Sequence, residues 1–260
     1  MTGERPVEQV TPDSVIAIHD AGYREVEKRL SDGIVVDLGS GEGFETVKFC
    51  GPNRKVIGID YDQIAARSAL SKWKTRGLNM FRMDCAKLGF KSGSVDYACS
   101  SHIIEHFREP ALHVAEVARI LKKEGTGFFL TPNKPTDFEN PFHVYLFEKD
   151  DLTRMLSEYF EDVWVGALDC TTTVKDEIAS RRSKAQKIYN LDKFNLRNRM
   201  PRSWWILFYS KLLPLGQKII YRQSMGGNTG IDDSHFFVSE EVDSTMPILF
   251  GVVSKSKMSQ

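Results

Sequence analysis

Apolar runs and helical stripes alternate along the first two thirds of the chain. "GIVVDL" (33–38) is a short apolar run closed by glycine and predicts a buried strand. "ETVKFC" (45–50) follows with a helical look. "KVIGID" (55–60) predicts a second strand, and "QIAARSALSKWKTRG" (63–77) a helix closed by Gly77. "LNMFRMD" (78–84) and "SVDYACS" (94–100) read as the third and fourth strands. "EPALHVAEVARILKKEG" (109–125) predicts a helix with Pro110 early, Lys122 and Lys123 at its end and glycine after them. "TGFFLTP" (126–132) is a fifth strand stopped by Pro132. "EKDDLTRMLSEYF" (148–160) is a helix with early acids, "EDVWVGA" (161–167) a sixth strand and "MPILFGVVSK" (246–255) the last.

Strands alternating with helices predict an α/β fold: a Rossmann-like, doubly wound sheet of about seven strands, largely parallel and covered on both faces. Nearly eighty residues separate the sixth and last strands, too many for a simple connection, so an insertion is expected there. Three regions follow: an N-terminal helical cap (1–30), a core (31–167 plus 246–255) and an insertion (168–245).

Composition adds limits. With 260 residues, 41% hydrophobic and 27% charged, the chain suits one globular domain carrying an insertion. It has no apolar run long enough for a membrane span, and "MTGERPVEQVTPDSV" lacks a signal pattern, so a cytoplasmic location is expected. The four cysteines are widely spaced with no C-x-x-C and read as reduced thiols. The formal net charge of zero hides a split. From Lys175 to Arg222 there are twelve Lys/Arg and three acids, a net of +9 against −9 for the rest. Such a segment suits an anionic partner.

The candidate chemistry begins at "VVDLGSGEG" (35–43). A glycine-rich turn from a first strand into a helix is a ligand site in doubly wound folds, because backbone can approach the ligand closely. The pattern D-x-G-x-G-x-G places Asp37 ahead of the glycines. A carboxylate there is awkward for an anionic pyrophosphate and suitable for a ligand carrying an amine. Asp60 ends the second strand, 21 residues beyond Gly39, where a carboxylate can accept from a ribose diol. Asp84 ends the third strand, where a carboxylate can meet an adenine amino group. Each acid alone reads as a turn cap; together with the glycines they form one ligand constellation.

These pieces resemble the class I S-adenosylmethionine-dependent methyltransferases. The matching segments are "VVDLGSGEG", "VIGIDYD", "FRMDCAKL", "SVDYACSSHIIEHF" and "ARILKKEGTGFFLTPN", in the family's order over about Gly33 to Asn133. The resemblance implies S-adenosylmethionine as cofactor. Gly39, Ser40 and Gly41 would cradle its methionine part with Asp37 near the amine. Asp60 would hold the ribose hydroxyls, Tyr61 lie against adenine, Asp84 meet the adenine amine and the Cys85 amide a ring nitrogen. Ser100 would border the transferred methyl, and Gly43 would allow close packing of helix and strand. Two other classes remain: an NAD-dependent oxidoreductase of similar topology, against which Asp37 and the glycine spacing argue, and a non-catalytic S-adenosylmethionine-binding subunit.

"HIIEHF" sets His102, Glu105 and His106 on one face if helical, and His143 follows in "NPFHVYLF" on the loop after the fifth strand. Both segments would lie at the carboxyl ends of parallel strands, so His106 and His143 are the candidate catalytic residues facing an acceptor. Three readings compete. A histidine serves as general base for an acceptor hydroxyl; or His102, Glu105, His106 and His143 hold a divalent metal; or Glu105 and His106 brace the loop. The first is the expectation, with no metal assigned. The pattern resembles metal sites of some quinone and RNA-terminus O-methyltransferases, with His102 where those have an acid. His19, His113 and His235 read as packing or surface residues.

Inside the insertion, "MPRSWWILFYSKLLPLGQKIIYRQ" (200–223) mixes aromatic, aliphatic and basic residues. It reads as a lid over the site, compatible with peripheral contact to an anionic membrane surface. Nucleic acid ranks below these readings, since no RNA-binding module is recognisable. "TTTVKDEIASRRSKAQK" (171–187) reads as a mobile or helical surface stretch. "TPN…NPFHVYLFEKDDL" and "KFNLRNRMPRSWW" resemble methyltransferases of saccharides and lipids. The expected acceptor is therefore a small or amphipathic molecule (a saccharide, a lipid-linked or a quinol-like compound), anionic if the +9 segment touches it, and the expected reaction is O-methylation.

Overall fold

The computed structural model describes residues 11–137, 140, 142–189 and 229–258. The chain enters through helix α1 (Asp13–Glu27). Strands β1 (Gly33–Leu38), β2 (Arg54–Asp60) and β3 (Leu78–Arg82) follow, with α2 (Gln63–Trp73) between the last two. Then come β4 (Val95–Ser101), α3 (Pro110–Ile120), β5 (Leu121–Pro132), α4 (Lys149–Tyr159), β6 (Phe160–Cys170), α5 (Thr172–Tyr189), β7 (Phe236–Ser239) and β8 (Ile248–Ser256). The strands form one sheet in the order β3-β2-β1-β4-β5-β8-β6-β7. Strands β1 to β5 pair in parallel, while β8 runs antiparallel to both β5 and β6. The α/β, Rossmann-like expectation holds, with one strand more among the described residues than the expected seven or so. The extra strand, β7, is four residues long and pairs antiparallel with β6 at the sheet edge. Its residues fall in the stretch assigned to the insertion.

Burial explains the strand patterns. Val36, Leu38, Ile57 and Ile59 pack with the α3 and α4 side chains on one face; Val35, Val56, Phe128 and Phe250 pack with α1 on the other. Both faces are covered, as parallel strands require.

Two local expectations are corrected. The helix expected over 109–125 stops at Ile120. Leu121 is fully buried and pairs with Val95; pairing resumes at Tyr97 and Thr126, so residues 122–125 bulge between the two. Lys122 then binds Asp96 (Nζ to Oδ1, 2.7 Å) and caps no helix. Burial of Leu121 in the sheet outweighs the helical pattern that runs through it. Likewise "ETVKFC" forms only a short 3-10 turn, Thr46–Phe49. Thr46 is drawn inward to the carboxylate of Asp37, and Phe49 is fully buried.

The stretch 171–187, which the sequence reads as mobile or helical, is helical from Thr172 onward in α5. The aromatic and basic segment 200–223 lies outside the described residues. No helix among the described residues is long and apolar enough to cross a membrane.

Candidate functional site

In this strand order the chain reverses direction of travel between β1 and β4, since β2 and β3 lie on one side and β5 on the other. The crevice beyond the carboxyl ends at such a switch point is where open α/β sheets take ligands. Leu38 pairs with Ser100 in register, so the glycine turn and the loop after β4 leave the sheet side by side.

The turn is held from within. The amides of Gly39 and Ser40 both donate to the Ile59 carbonyl (2.8 and 2.9 Å), the Gly41 amide donates to Asp60 Oδ2 (2.9 Å) and the Gly43 amide to the Ser40 carbonyl (2.9 Å). Gly39 has φ +77°, and a Cβ there would sit 2.8 Å from Ile103 Cδ1, so glycine is required both by backbone and by the neighbouring loop. At Gly43 a Cβ would meet Leu78, Trp73 and Ala69 at 2.8–3.4 Å, which fits its expected role in close packing.

Asp37 lies beneath this turn with no exposed surface. Its oxygens accept from Tyr23 Oη of α1 (3.1 Å to each) and from Thr46 Oγ1. Burial pushes its pKa up to about 7, although the Thr46 and Tyr23 hydrogen bonds oppose the shift. Asp60, 8% exposed, accepts from the Gly41 and Asp62 amides (2.9 and 2.7 Å). Tyr61 stands out at 70% exposure, with Arg82 beside its ring. Asp84 is exposed and accepts from the Ala86 amide, while Cys85 next to it is buried.

Ser100 is buried and within 2.8 Å of His113 Nε2. His113 Nδ1 lies 2.9 Å from the Cys85 carbonyl. A ring that donates at Nδ1 accepts at Nε2 from the Ser100 hydroxyl. Burial lowers the His113 pKa to about 4, so it stays neutral above that pH. The expected packing role holds, and the packing ties the loop after β3 to the end of β4.

The second group begins at His102, whose backbone is left-handed (φ +53°) and whose amide donates to the Leu130 carbonyl. A 3-10 turn, Ile104–His106, replaces the longer helix that the spacing allowed. Glu105 is the hub. Its carbonyl accepts from the Val144 and Tyr145 amides (2.8 and 3.1 Å), which draws the loop after β5 against the loop after β4. Its Oε2 accepts from Thr131 Oγ1 (3.0 Å), and Oε1 has no hydrogen-bond partner, the nearest base being His102 Nδ1 at 3.6 Å. Burial works to raise its pKa. The adjoining His102 and the fields of His106 and His143 outweigh burial and bring it down to about 2.

His106 and His143 lie edge to face with ring centroids 5.2 Å apart. His106 Nδ1 faces the Phe142 carbonyl (3.2 Å), and His143 Nδ1 faces Asp137 Oδ1 (2.9 Å). One ligand atom from each of Glu105, His106 and His143 lies within 4.8 Å of the others; His102 stands outside this set. Sequence reasoning passed over Tyr23, Thr131 and Asp137, and read His19 as a packing or surface residue. The His19 ring lies tilted against that of His102 (centroids 4.3 Å apart), and burial lowers its pKa to about 3. The i, i+4 spacing of His19 and Tyr23 on α1 was the available signal, since it sets both on one helix face.

Residues 36–129 match the family model described as a methyltransferase domain. The chain is 29% identical over 163 residues to a probable S-adenosylmethionine-dependent methyltransferase of Mycobacterium tuberculosis, covering 60% of this chain and 59% of that protein. A relative from Mycolicibacterium smegmatis is 27% identical over 163 residues, covering 60% and 63%. The matches thus span about 60% of those relatives' length. Among solved structures, an S-adenosylmethionine-dependent methyltransferase from Thermotoga maritima superposes with TM-score 0.58 at 16% identity, covering 93% of this chain and 91% of that one. Phosphoethanolamine N-methyltransferase 2 of Haemonchus contortus, in complex with S-adenosyl-L-methionine, gives TM-score 0.55 at 16% identity, over 92% and 52%. Over residues 36–129 the chain is thus similar to a methyltransferase domain, and the two mycobacterial relatives are named as probable S-adenosylmethionine-dependent methyltransferases.

Proposed function

We propose that the protein transfers the methyl group of S-adenosylmethionine to a hydroxyl oxygen of a small or amphipathic acceptor. The observation that carries this reading is the glycine turn and the histidine cluster side by side at the switch point, with Ile103 of the second seated on Gly39 of the first.

The turn itself favours this donor over a dinucleotide. An anion-binding turn aims its N–H groups at the ligand. Here the amides of Gly39, Ser40, Gly41 and Gly43 are all directed to protein acceptors, and a carboxylate lies underneath. That suits a ligand ending in an ammonium. Asp60, at the end of β2, would hold the ribose hydroxyls, since a carboxylate accepts from both. Exposed Tyr61 would lie on the adenine face, with Asp84 and the Cys85 amide at its edge. Asp37 would act on the ammonium from beneath the turn, and Ser100, held by His113, would border the methyl.

The sulfonium supplies an electrophilic methyl, so the protein's task is placement and proton handling. The acceptor oxygen would stand at His106 and His143 and yield its proton there. The net +9 of residues 175–222 supports an anionic acceptor such as a sugar nucleotide or a lipid-linked saccharide, and the aromatic stretch 200–223 a peripheral membrane contact. A cytoplasmic location fits this reading.

Titration calorimetry with S-adenosylmethionine and with NAD tests the donor; binding of NAD alone would overturn it. Release of S-adenosylhomocysteine across a panel of sugar nucleotides, hydroxylated lipids and quinol precursors tests transfer and names the acceptor class. Acceptor binding that does not weaken with rising salt would remove the anionic assignment.

A further inference from the structure

The groups around Glu105 have the layout of a metal centre in both shells. Glu105 is 1% exposed, and its Oε1 has no hydrogen-bond partner. An orphaned buried carboxylate oxygen calls for a cation or a proton donor. Its basic neighbours are imidazoles, and two of them bring a ligand atom within 4.8 Å of it and of each other.

The outer partners of the two imidazoles matter more. Metal-binding histidines hand their second nitrogen to a carboxylate or a backbone carbonyl, which fixes tautomer and ring direction. Both kinds of partner are present: Asp137 at Nδ1 of His143 and the Phe142 carbonyl at Nδ1 of His106. With Nδ1–H donated outward in each ring, Nε2 carries the lone pair. Asn140 Nδ2 lies 3.1 Å from His143 Nε2 and would give way to an ion.

We infer that Glu105, His106 and His143 form a binding site for one divalent transition-metal ion. Metal–ligand bonds of about 2.0–2.2 Å set ligand atoms roughly 3–3.5 Å apart, so the side chains close in by about 1.5 Å, within the reach of χ rotation. Two imidazoles and one carboxylate favour Zn²⁺, Co²⁺ or Mn²⁺ over Mg²⁺ and Ca²⁺. Remaining coordination positions are open to an oxygen ligand.

This deepens the proposed methyl transfer and rests on it for its chemical role. An acceptor hydroxyl on the ion has a lowered pKa and gives its proton to water. The oxygen then takes the methyl; the S–C bond breaks and its electron pair stays on sulfur. His106 and His143 would then act as ligands and not as bases.

The test uses the whole chain, stripped by chelator and titrated with ZnCl₂, MnCl₂, CoCl₂ and MgCl₂ by calorimetry, with Co²⁺ also followed by its visible ligand-field absorption. The expected result is about one equivalent of Zn²⁺ or Co²⁺. His106→Ala and His143→Ala should each weaken binding tenfold or more, and Asp137→Asn about 10–100-fold. His235→Ala, outside the cluster, should change nothing. Glu105→Gln should abolish the Co²⁺ spectrum; if it does not fold, the two histidine variants decide. Absence of stoichiometric binding, or binding that survives both histidine variants, overturns the site. S-adenosylmethionine affinity is measured in the same samples. Donor binding without ion binding leaves the methyl-transfer reading standing with the histidines as bases; loss of donor binding in the unmodified chain defeats that reading independently.

Discussion

Asp37, near the carboxyl end of β1, and Glu105, in the turn after β4, are both shielded carboxylates, and their surroundings push them in opposite directions. Asp37, under the glycine turn, is met by two neutral hydroxyls and rises to about 7. Glu105, in the second group, is surrounded by three imidazoles and falls to about 2. At Asp37 the hydroxyl hydrogen bonds oppose burial without overcoming it, whereas at Glu105 the adjoining His102 and the fields of His106 and His143 outweigh it. Under the proposed function, the glycine-turn side would suit a ligand that brings its own positive charge, and the histidine side an ion or a proton.

The sharpest way to break this contrast is stability against pH. Asp37 has a folded pKa raised above 3.8, so its contribution is fully present below about pH 4 and is lost as pH rises through about 7. Glu105 has a folded pKa depressed below 4.5, so its contribution is present above about pH 4.5 and is lost as pH falls toward 2. Each amounts to a few kcal/mol by order of magnitude, at roughly 1.4 kcal/mol per unit. Urea unfolding of Asp37→Asn across this range should lose the decline between about pH 4 and 7; Glu105→Gln should lose the acid-side decline and keep the other. Parallel slopes in both variants would erase the distinction.

A somewhat smaller effect is expected on ligand affinity. Asp60→Ala should weaken S-adenosylmethionine binding by about 1–3 kcal/mol, the scale for removing a partner of buried polar groups, while leaving Zn²⁺ affinity unchanged. Calorimetry with each ligand reads both. Unchanged donor affinity would displace the ribose from Asp60. Tyr23→Phe removes a donor whose hydrogen bond lowers the Asp37 pKa; it should cost about 1–2 kcal/mol in unfolding free energy where Asp37 is ionised, carry the decline that begins near pH 4 to higher pH and leave the acid-side decline untouched. The smallest change is expected for His19→Ala, which removes a partly buried ring tilted against His102 and should cost about 1 kcal/mol. A large loss there would mean that α1 holds up the histidine side as well as the glycine turn.

The two sides also differ in how plainly they read in the sequence. Asp37, Gly39, Gly41 and Asp60 lie within a strand–turn–strand unit, and their contacts span at most 23 residues, from Asp37 to Asp60. Spacing alone places such residues together. The histidine side joins α1, the loop after β4 and the loop after β5, so its contacts reach from His19 to His143. His106 and His143 were legible as residues at strand ends, but Asp137 was not, since nothing local marks a carboxylate six residues before a histidine as its partner. His19 carried no signal beyond its i, i+4 spacing to Tyr23. The length of α3 was misread because helical periodicity continues through Leu121, and only pairing with Val95 ends the helix.

The order of strands and helices, the glycine turn and the acids at the ends of β1, β2 and β3 were set by the sequence alone, because strand period, turn chemistry and motif spacing act over a few residues. The tertiary structure decided the rest. It sealed Asp37 under Tyr23, bent His102 into a left-handed turn and used the Glu105 carbonyl to bring His143 to His106. Those outcomes depend on which distant segments share the crevice between β1 and β4, and packing across the sheet settles that where local pattern cannot.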